Sequence, residues 1–597
     1  MFSEIAGSLP RVLDDFIPRA VFSERASWSA ISKPLFERVI KDAEERLSQS
    51  WPVIMASDYR EYALSGNRSR FEDLYFTRRC MLNDLVLGEL LEGEGRFLGA
   101  IMDGIFLIAE ESGWQLPAHN GYERGSPRLP LPDISQPVID LFAAETAAQL
   151  ATIAALLRDQ LDAISPQVVI RIEREVETRL FSPYLGRHFW WMGRGEERMN
   201  NWTAWITQNV LLSAFCLKTD QAVRREVLVK ALGSLDAFLK DYAGDGACEE
   251  GVVYYRHAAL CLHGAMTILD AVAPGVFTHL WSEPKIRNMA EYIVNMHVAG
   301  RHYFNFADSS AVVEPCSIRE YLFGKAVGSE ALVAFAAADR ANNESPHLPK
   351  EWNLWYRVQE LLVGSTVGAA EPRQTNKQDI FYPGIGLFIA RDERFALAVK
   401  GGNNGESHNH NDVGSVTLYK DGRPLLIDVG VETYTAKTFS SRRYEIWTMQ
   451  SAFHNLPSFG EVMQSAGAQF AARDVETEFT PTEARMSLDI ASAYPPEAKV
   501  RSYRRTVTLR RGREVEIVDV HDGGLPAVLS LMTCVAPTLS AGRIDLPDLG
   551  NVLLEGAGEV EIEPIDIEDA RLRLSWPARI YRLRIPFTKN YLKMRIV

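Results

Sequence analysis

"GGNNGESHNHNDVGSVTLYKDGRPLLIDVGVETYT" runs from Gly401 to Thr435. A loop rich in glycine and asparagine leads into two histidines, His408 and His410, and then into "SVTLYKDGRPLLIDVG". The Asp421-Gly422 pair between two apolar runs is a two-residue hairpin signal, because both residues tolerate the positive φ that such a turn needs. Neighbouring segments repeat the pattern. "GLFIARDERFALAVKG" reads as two strands around Asp392-Glu393, and "YRRTVTLRRGREVEIVDV" as a hairpin around Gly512. Short strands continue to Val597. Together they predict an antiparallel β-sandwich of roughly 200 residues.

Upstream the period changes from two to between three and four. Leu150, Ile153, Ala154, Leu157, Leu161 and Ile164 fall on one helical face. Ser165-Pro166 stops that helix and starts another, with serine as the N-cap and proline at the first helical position. Val169, Ile172, Val176 and Leu180 form the next stripe, ended by Ser182-Pro183, and Val227, Ala231, Leu235, Phe238 and Tyr242 form a third. Many amphipathic helices joined by short breaks predict a helical bundle or an α/α toroid. The organisation expected is a helical domain over 1–363, a linker over 364–379 and an antiparallel β-sandwich over 380–597.

The chain has 597 residues, too many for one ordinary core. Its net charge of −14 argues against nonspecific nucleic-acid binding, which needs a basic surface to displace phosphate counterions. The six cysteines form no CxxC pair and read as free thiols. No apolar run suggests a membrane span, and "MFSEIAGSLPRVLDDF" lacks the basic-then-apolar pattern of a secretion signal, so a cytoplasmic protein is expected. A homodimer is compatible with this composition.

His408 and His410 are two residues apart and point the same way on an extended chain. His410, Asp428 and His454 could supply a metal site of two imidazoles and one carboxylate. They could equally be polar residues of a loop and a strand edge. An ideal Asp421-Gly422 hairpin pairs Asp428 with Ser415, so the chain near Gly414 must bend if the three are to converge. Asn200-Asn201 read as the N-cap of the helix that begins "WTAWITQNVLL". Tyr254 and Tyr255 read as core aromatics. Arg301, His302, Arg442 and Arg443 are candidates for binding carboxylates, since the guanidinium fork suits that group, but each could instead be salt-bridged on the surface. His119 lies in the loop "LPAHNGY".

"HNHNDVGSVTLYKDGRPLLIDVGVETYT" followed by "YEIWTMQSAFHNLP" resembles the heparinase II/III family of polysaccharide lyases. The helical half agrees through "MNNWTAWITQNVLL", "DGACEEGVVYYRHAALC" and "RHYFNFAD". The resemblance spans about Leu116 to Arg473 and implies an (α/α) toroid followed by a β-sandwich. It implies cleavage next to a uronic acid by β-elimination, on an anionic uronate-containing glycan. It also implies roles: Asn201 on the substrate carboxylate, Tyr254 as acid and base, His408 as a second catalytic group, and His410, Asp428 and His454 on zinc. His119, Asn200, Arg301, His302 and Arg443 are the substrate-binding candidates. A zinc-dependent hydrolase and a catalytically silent glycan-binding protein are the competing expectations. One departure stands out: a histidine follows the asparagine in heparinase II-like members, whereas Trp202 stands there in this chain.

Overall fold

The computed structural model describes residues 1–19, 22–342, 348–364, 367 and 378–597. Most of the expected linker over 364–379 lies outside the described residues. The chain forms two compact units that are not contiguous in sequence. The first is Met1–Asp241, His257–Ala290 and Pro315–Gln374; the second is Tyr242–Arg256, Glu291–Glu314 and Thr375–Val597.

The first unit is helical, and its helices follow the apolar stripes. Leu141–Ile164 packs against Asn201–Cys216, which packs against Gln221–Asp241. Leu150, Ile153, Ala154, Leu157 and Leu161 are buried, while Ile164 at the helix end is exposed. Leu141–Ile164 is long and apolar enough to cross a bilayer by length and composition, contrary to expectation, yet most of it is buried inside this unit. Ser165 Oγ accepts from the Gln167 amide at 3.3 Å, but the next helix is Gln167–Val176, so Pro166 rather than the serine stands at its N-cap. Ser182-Pro183 does not end that stripe. A π-helical turn, Glu177–Phe181, leads into a further helix, Ser182–Gly186. The wider turn accommodates a proline that an unbroken α-helix would reject for want of an N–H.

His263, on the helix Tyr255–Val272, is enclosed in this unit by the rings of Phe323 and Trp281, 4.9 and 5.7 Å away. Burial, with the charges of Arg319 and Arg19, pushes its pKa down to about 3. The folded chain therefore binds fewer protons than the unfolded chain between about pH 6.5 and about pH 3, and stability falls as pH drops through that window. We expect this one imidazole to cost about 2 kcal/mol between about pH 6.5 and about pH 5. Denaturant titrations of the wild type and His263→Met check it: equal pH slopes would refute it.

The second unit is built from antiparallel sheets. An eight-stranded sheet centres on Val500–Arg510 and Glu514–Gly523, a five-stranded sheet runs from Ile380–Tyr382 to Arg423–Leu426, and a four-stranded sheet contains Ala527–Thr533 and Arg579–Pro586. Leu397, Leu418, Val507, Ile517, Leu529 and Leu583 share one core between them. Asp421 and Gly422 have φ of +50° and +75°, as the hairpin signal requires. The pairing beyond the turn differs from the ideal. Lys420 pairs with Arg423, but the register then slips, so that Leu418 faces Leu426. The strand ends at Leu426, and Asp428 does not pair with Ser415. In place of a ladder, the Asn455 amide donates to the carbonyls of Val416 at 2.7 Å and Ile427 at 3.0 Å.

Candidate active site

The groups around His408 belong to the second unit. The expected bend at Gly414 is present. Gly414 has φ +92°, and the Ser415 amide donates to the Asp412 carbonyl at 2.9 Å. A buried ion pair fixes the bend: Arg505 makes a two-pronged bond to Asp519 at 2.8 and 2.7 Å. Its remaining Nη1 donates to the carbonyls of Gly414 and Asn455, at 2.8 and 2.7 Å. The guanidinium thus ties the segment after His410 to the segment after His454.

Asp308 is the hub of the site. It is fully buried and accepts from four side chains. His408 Nδ1 lies 2.7 Å from Oδ2, and the Tyr434 hydroxyl donates to the same oxygen at 3.0 Å. Arg443 Nη2 donates to Oδ1 at 2.6 Å, and His410 Nε2 lies 3.1 Å from it. Burial alone would raise the Asp308 pKa, but the bonds from His408 and His410 and the charges of His408 and Arg443 hold it well below the usual carboxylate range. Burial lowers the pKa of His408, yet the Asp308 bond and the charges of Glu250 and Asp308 outweigh it, leaving it raised. Glu250 Oε2 is 3.6 Å from His408 Nε2. Two non-glycine residues adopt positive φ here, His408 at +57° and Ala307 at +53°. One belongs to the His408–Asp308 bond and the other adjoins it, a place where backbone strain commonly accompanies function.

Tyr254 faces this hub and Tyr255 does not. The Tyr254 ring lies 4.6 Å from that of His408, and its hydroxyl bonds the Tyr434 hydroxyl. Tyr255 is fully buried near Tyr292. A hydrogen-bonded chain therefore runs from Tyr254 through Tyr434 and Asp308 to His408. Burial raises the Tyr254 pKa well above its usual value, the Tyr434 and Asp308 charges add to this, and the Arg571 charge opposes it. Arg571 stacks over the Tyr434 ring at 4.6 Å and donates to the Asp308 carbonyl at 2.8 Å.

Next to the hub is a second group. Asp412, Asp428 and His454 are buried, and each offers one ligand atom within 4.8 Å of the others. His410, rather than Asp412, was the expected third member. Its ring lies 5.4 Å from that of His454, and its Nε2 is held by Asp308. Both ring nitrogens of His454 and Nδ1 of His410 are buried without a hydrogen-bond partner among the described residues. Burial pushes His454 down to about 3 and Asp412 up to about 7. Burial and the Asp412 charge hold Asp428 well above the normal carboxylate range. Neutral imidazoles with unpartnered nitrogens beside crowded carboxylates are a donor set that fits a divalent cation.

The remaining candidates separate. Arg443 joins the hub, but its guanidinium is occupied by Asp308, the carbonyls of His408 and Asn409, and that of Thr438. Arg442 bonds exposed Glu445. Arg301 donates to the Val313 carbonyl at 3.1 Å and pairs with Glu314, and His302 packs on Tyr419, so neither joins the hub among the described contacts. In the first unit, Asn200 N-caps the helix Asn201–Cys216, its Oδ1 accepting from the Trp202 amide at 3.1 Å. Asn201 is buried at the first position of that helix. His119 Nδ1 lies 2.7 Å from the buried Asp140 carboxylate, and its ring meets Trp202 edge-on at 4.7 Å. Burial lowers the His119 pKa in spite of Asp140.

Sequence reading missed Glu250, Asp308, Asp412, Tyr434 and Arg571. Asp308 closes "RHYFNFAD" and Asp412 closes "HNHND", so both stood in stretches already singled out. Arg571 carried no local signal.

Residues 374–542 match the family model described as Heparinase II/III-like, C-terminal, so the resemblance read from the sequence is supported over that segment, which but for its first residue lies in the second unit. The chain shares its fold with a solved heparinase III at 13% identity and a TM-score of 0.62, covering 95% of this chain and 92% of that one. A heparan sulfate lyase from Pedobacter heparinus aligns at 12% identity and a TM-score of 0.57, over 100% and 87% of the two chains. A second heparinase III aligns at 13% and 0.59, over 100% and 88%. No curated protein matches the chain by sequence. At such identities the likeness is one of fold, and the fold class is the one expected: an N-terminal (α/α) toroid followed by a C-terminal antiparallel β-sandwich.

Proposed function

We propose that this chain is a polysaccharide or oligosaccharide lyase. It would cleave next to a uronic acid by β-elimination and leave an unsaturated uronate end. The observation that carries the reading is the hydrogen-bonded chain Tyr254–Tyr434–Asp308–His408. In this reaction the C5–H bond and the bond from C4 to the leaving oxygen break, a C4=C5 double bond forms, and the leaving oxygen gains a proton. A free tyrosinate at neutral pH costs roughly 4 kcal/mol even before burial. Concerted passage along the chain of bonds would avoid forming it as a free ion. As Tyr254 takes the C5 proton, its own proton can pass to Tyr434 and on toward Asp308, and the return passage delivers a proton to the leaving oxygen. The His408 ring packs 4.6 Å from that of Tyr254, and Asp308 and Glu250 raise its pKa against burial; a protonated imidazole there would favour the tyrosinate. Asn201 is assigned to the substrate carboxylate on the resemblance, an uncharged amide that favours its protonated or delocalised form. Incubation with a panel of uronate oligosaccharides tests the reading through the ultraviolet absorbance of an unsaturated uronate. Hydrolysis would give shorter chains without that absorbance, and a silent binder would leave chain length unchanged.

Zinc is the metal proposed for the buried donor group, because imidazole nitrogen and carboxylate oxygen suit it. His410, Asp428 and His454 would hold it, with Asp412 adjoining, and Asp308 would orient His410 from its other nitrogen. The ion would cross-link the loop, the strand end and the His454 turn. We expect one zinc per chain by elemental analysis of protein purified without a histidine tag. A metal-free protein of full activity and ordinary stability would end this assignment. His454→Ala should lower stability well beyond a surface change, since metal binding is linked to folding.

Trp202 cannot accept a proton. If Tyr254 must both take the C5 proton and protonate the leaving oxygen, the two lie on the same side of the sugar and elimination is syn. Matched oligosaccharides differing only in C5 configuration at the cleaved residue should then differ in rate by roughly tenfold or more, the glucuronic form being faster. Equal rates would refute the single-residue scheme.

A further inference from the structure

Phe439 is an exposed aromatic ring held beside His408. It is 53% exposed, although its centroid lies only 6.1 Å from the His408 ring and 5.0 Å from the Tyr434 ring, edge-on to both. A loose segment is not the reason. Phe439 ends the short turn Lys437–Phe439, which the Ser440 amide closes on the Lys437 carbonyl at 3.1 Å. Its neighbour Thr438 is buried, with its hydroxyl accepting from the Thr435 amide at 3.0 Å and its carbonyl from Arg443 at 3.1 Å. Arg443 is in turn fixed on Asp308. The carboxylate that orders His408 therefore also anchors the backbone that presents Phe439.

A lone exposed phenylalanine needs no explanation, but one rigidly presented a ring's width from His408 does. The side chain has no polar tip, so it gains only when an apolar surface covers it. Lys437, Arg442 and Glu445 flank it, paired among themselves. A membrane or protein partner would call for a wider apolar patch than one ring bordered by ions. A pyranose fits that frame: one face presents C–H groups over about one ring's area, and its rim carries hydroxyls.

We propose that Phe439 is a sugar-stacking platform that takes the C–H face of the pyranose adjoining the cleaved uronate. The proposal rests on the lyase reading of the same site and adds the residue that recognises the neighbouring sugar.

The test uses hyaluronan and heparosan hexasaccharides, the wild type, and Phe439→Ala and Phe439→Trp. Calorimetric binding is measured in a Tyr254→Phe background, so that affinity is read without turnover, and KM and kcat are measured with Tyr254 intact. Phe439→Ala is expected to weaken binding and raise KM about tenfold while kcat stays within about twofold, and Phe439→Trp to restore both. Unchanged affinity and KM in Phe439→Ala, with the wild type cleaving, would overturn the platform and leave the lyase reading intact. Binding that depends on Phe439 without any unsaturated product would do the reverse. A wild type that neither binds nor cleaves either sugar would remove both.

Discussion

Tyr254→Phe is expected to abolish most turnover while leaving the fold intact. The substitution removes one oxygen and keeps the ring that packs 4.6 Å from that of His408. Tyr434 can still donate to Asp308, so no buried charge loses its partner. The loss should be on the order of 10²-fold or more, as for a positioned acid–base group. Tyr255→Phe serves as the control, because its ring is buried near Tyr292 rather than turned toward His408. Initial rates by ultraviolet absorbance, together with thermal unfolding of both variants, decide it. Full activity in Tyr254→Phe with loss in Tyr255→Phe would put the chemistry on the other tyrosine. Full activity in both would discard the tyrosine mechanism.

Asp308→Asn should be costly twice over. Asp308 balances Arg443, and the pair is nearly free of water, with the carboxylate fully buried and the arginine 12% exposed. Removing one partner of such a pair leaves a buried charge without compensation, which typically costs about 3 to 5 kcal/mol. Asparagine also offers an N–H where His408, His410 and Tyr434 now find an acceptor. Turnover should fall on the order of 10²-fold or more, since the tautomer and orientation of His408 depend on that acceptor. Denaturant unfolding and initial rates measure the two effects separately. A variant as stable and as active as the wild type would show that Asp308 is not the hub described above.

The fold was legible where local periodicity decides it. Leu150 to Leu161 on a helical face and the Asp421-Gly422 turn are set by residues within a few positions of one another, and both are as expected. Local signals misled where longer contacts prevail. Ser182-Pro183 looked like a stop, and a π turn absorbs it. The Asp428–Ser415 register failed because Asn455, from further along the chain, replaces the ladder. The same holds for the site. His408, His410 and Tyr254 stood out in long motifs, but Asp308 meets His408 across 100 residues, and Arg571 reaches it across 263. No spacing rule links such pairs. Arg301 and His302 were singled out as carboxylate-binding candidates at the start of "RHYFNFAD", while the last residue of that stretch became the hub.

The two compact units interleave along the sequence, with Tyr242–Arg256 and Glu291–Glu314 belonging to the second. The segment that matches the family model, residues 374–542, therefore lacks Tyr254, Glu250 and Asp308, and it also stops short of Arg571. On the lyase reading, that segment alone would not be a self-sufficient catalytic cassette. Synthesis imposes the same dependence in time. At about 5 to 20 residues per second, Asp308 leaves the ribosome roughly 13 to 50 seconds before Arg571. For that interval Asp308 waits for Arg571, which donates to its backbone carbonyl and stacks on Tyr434, and the helical unit can mature before that cluster is assembled.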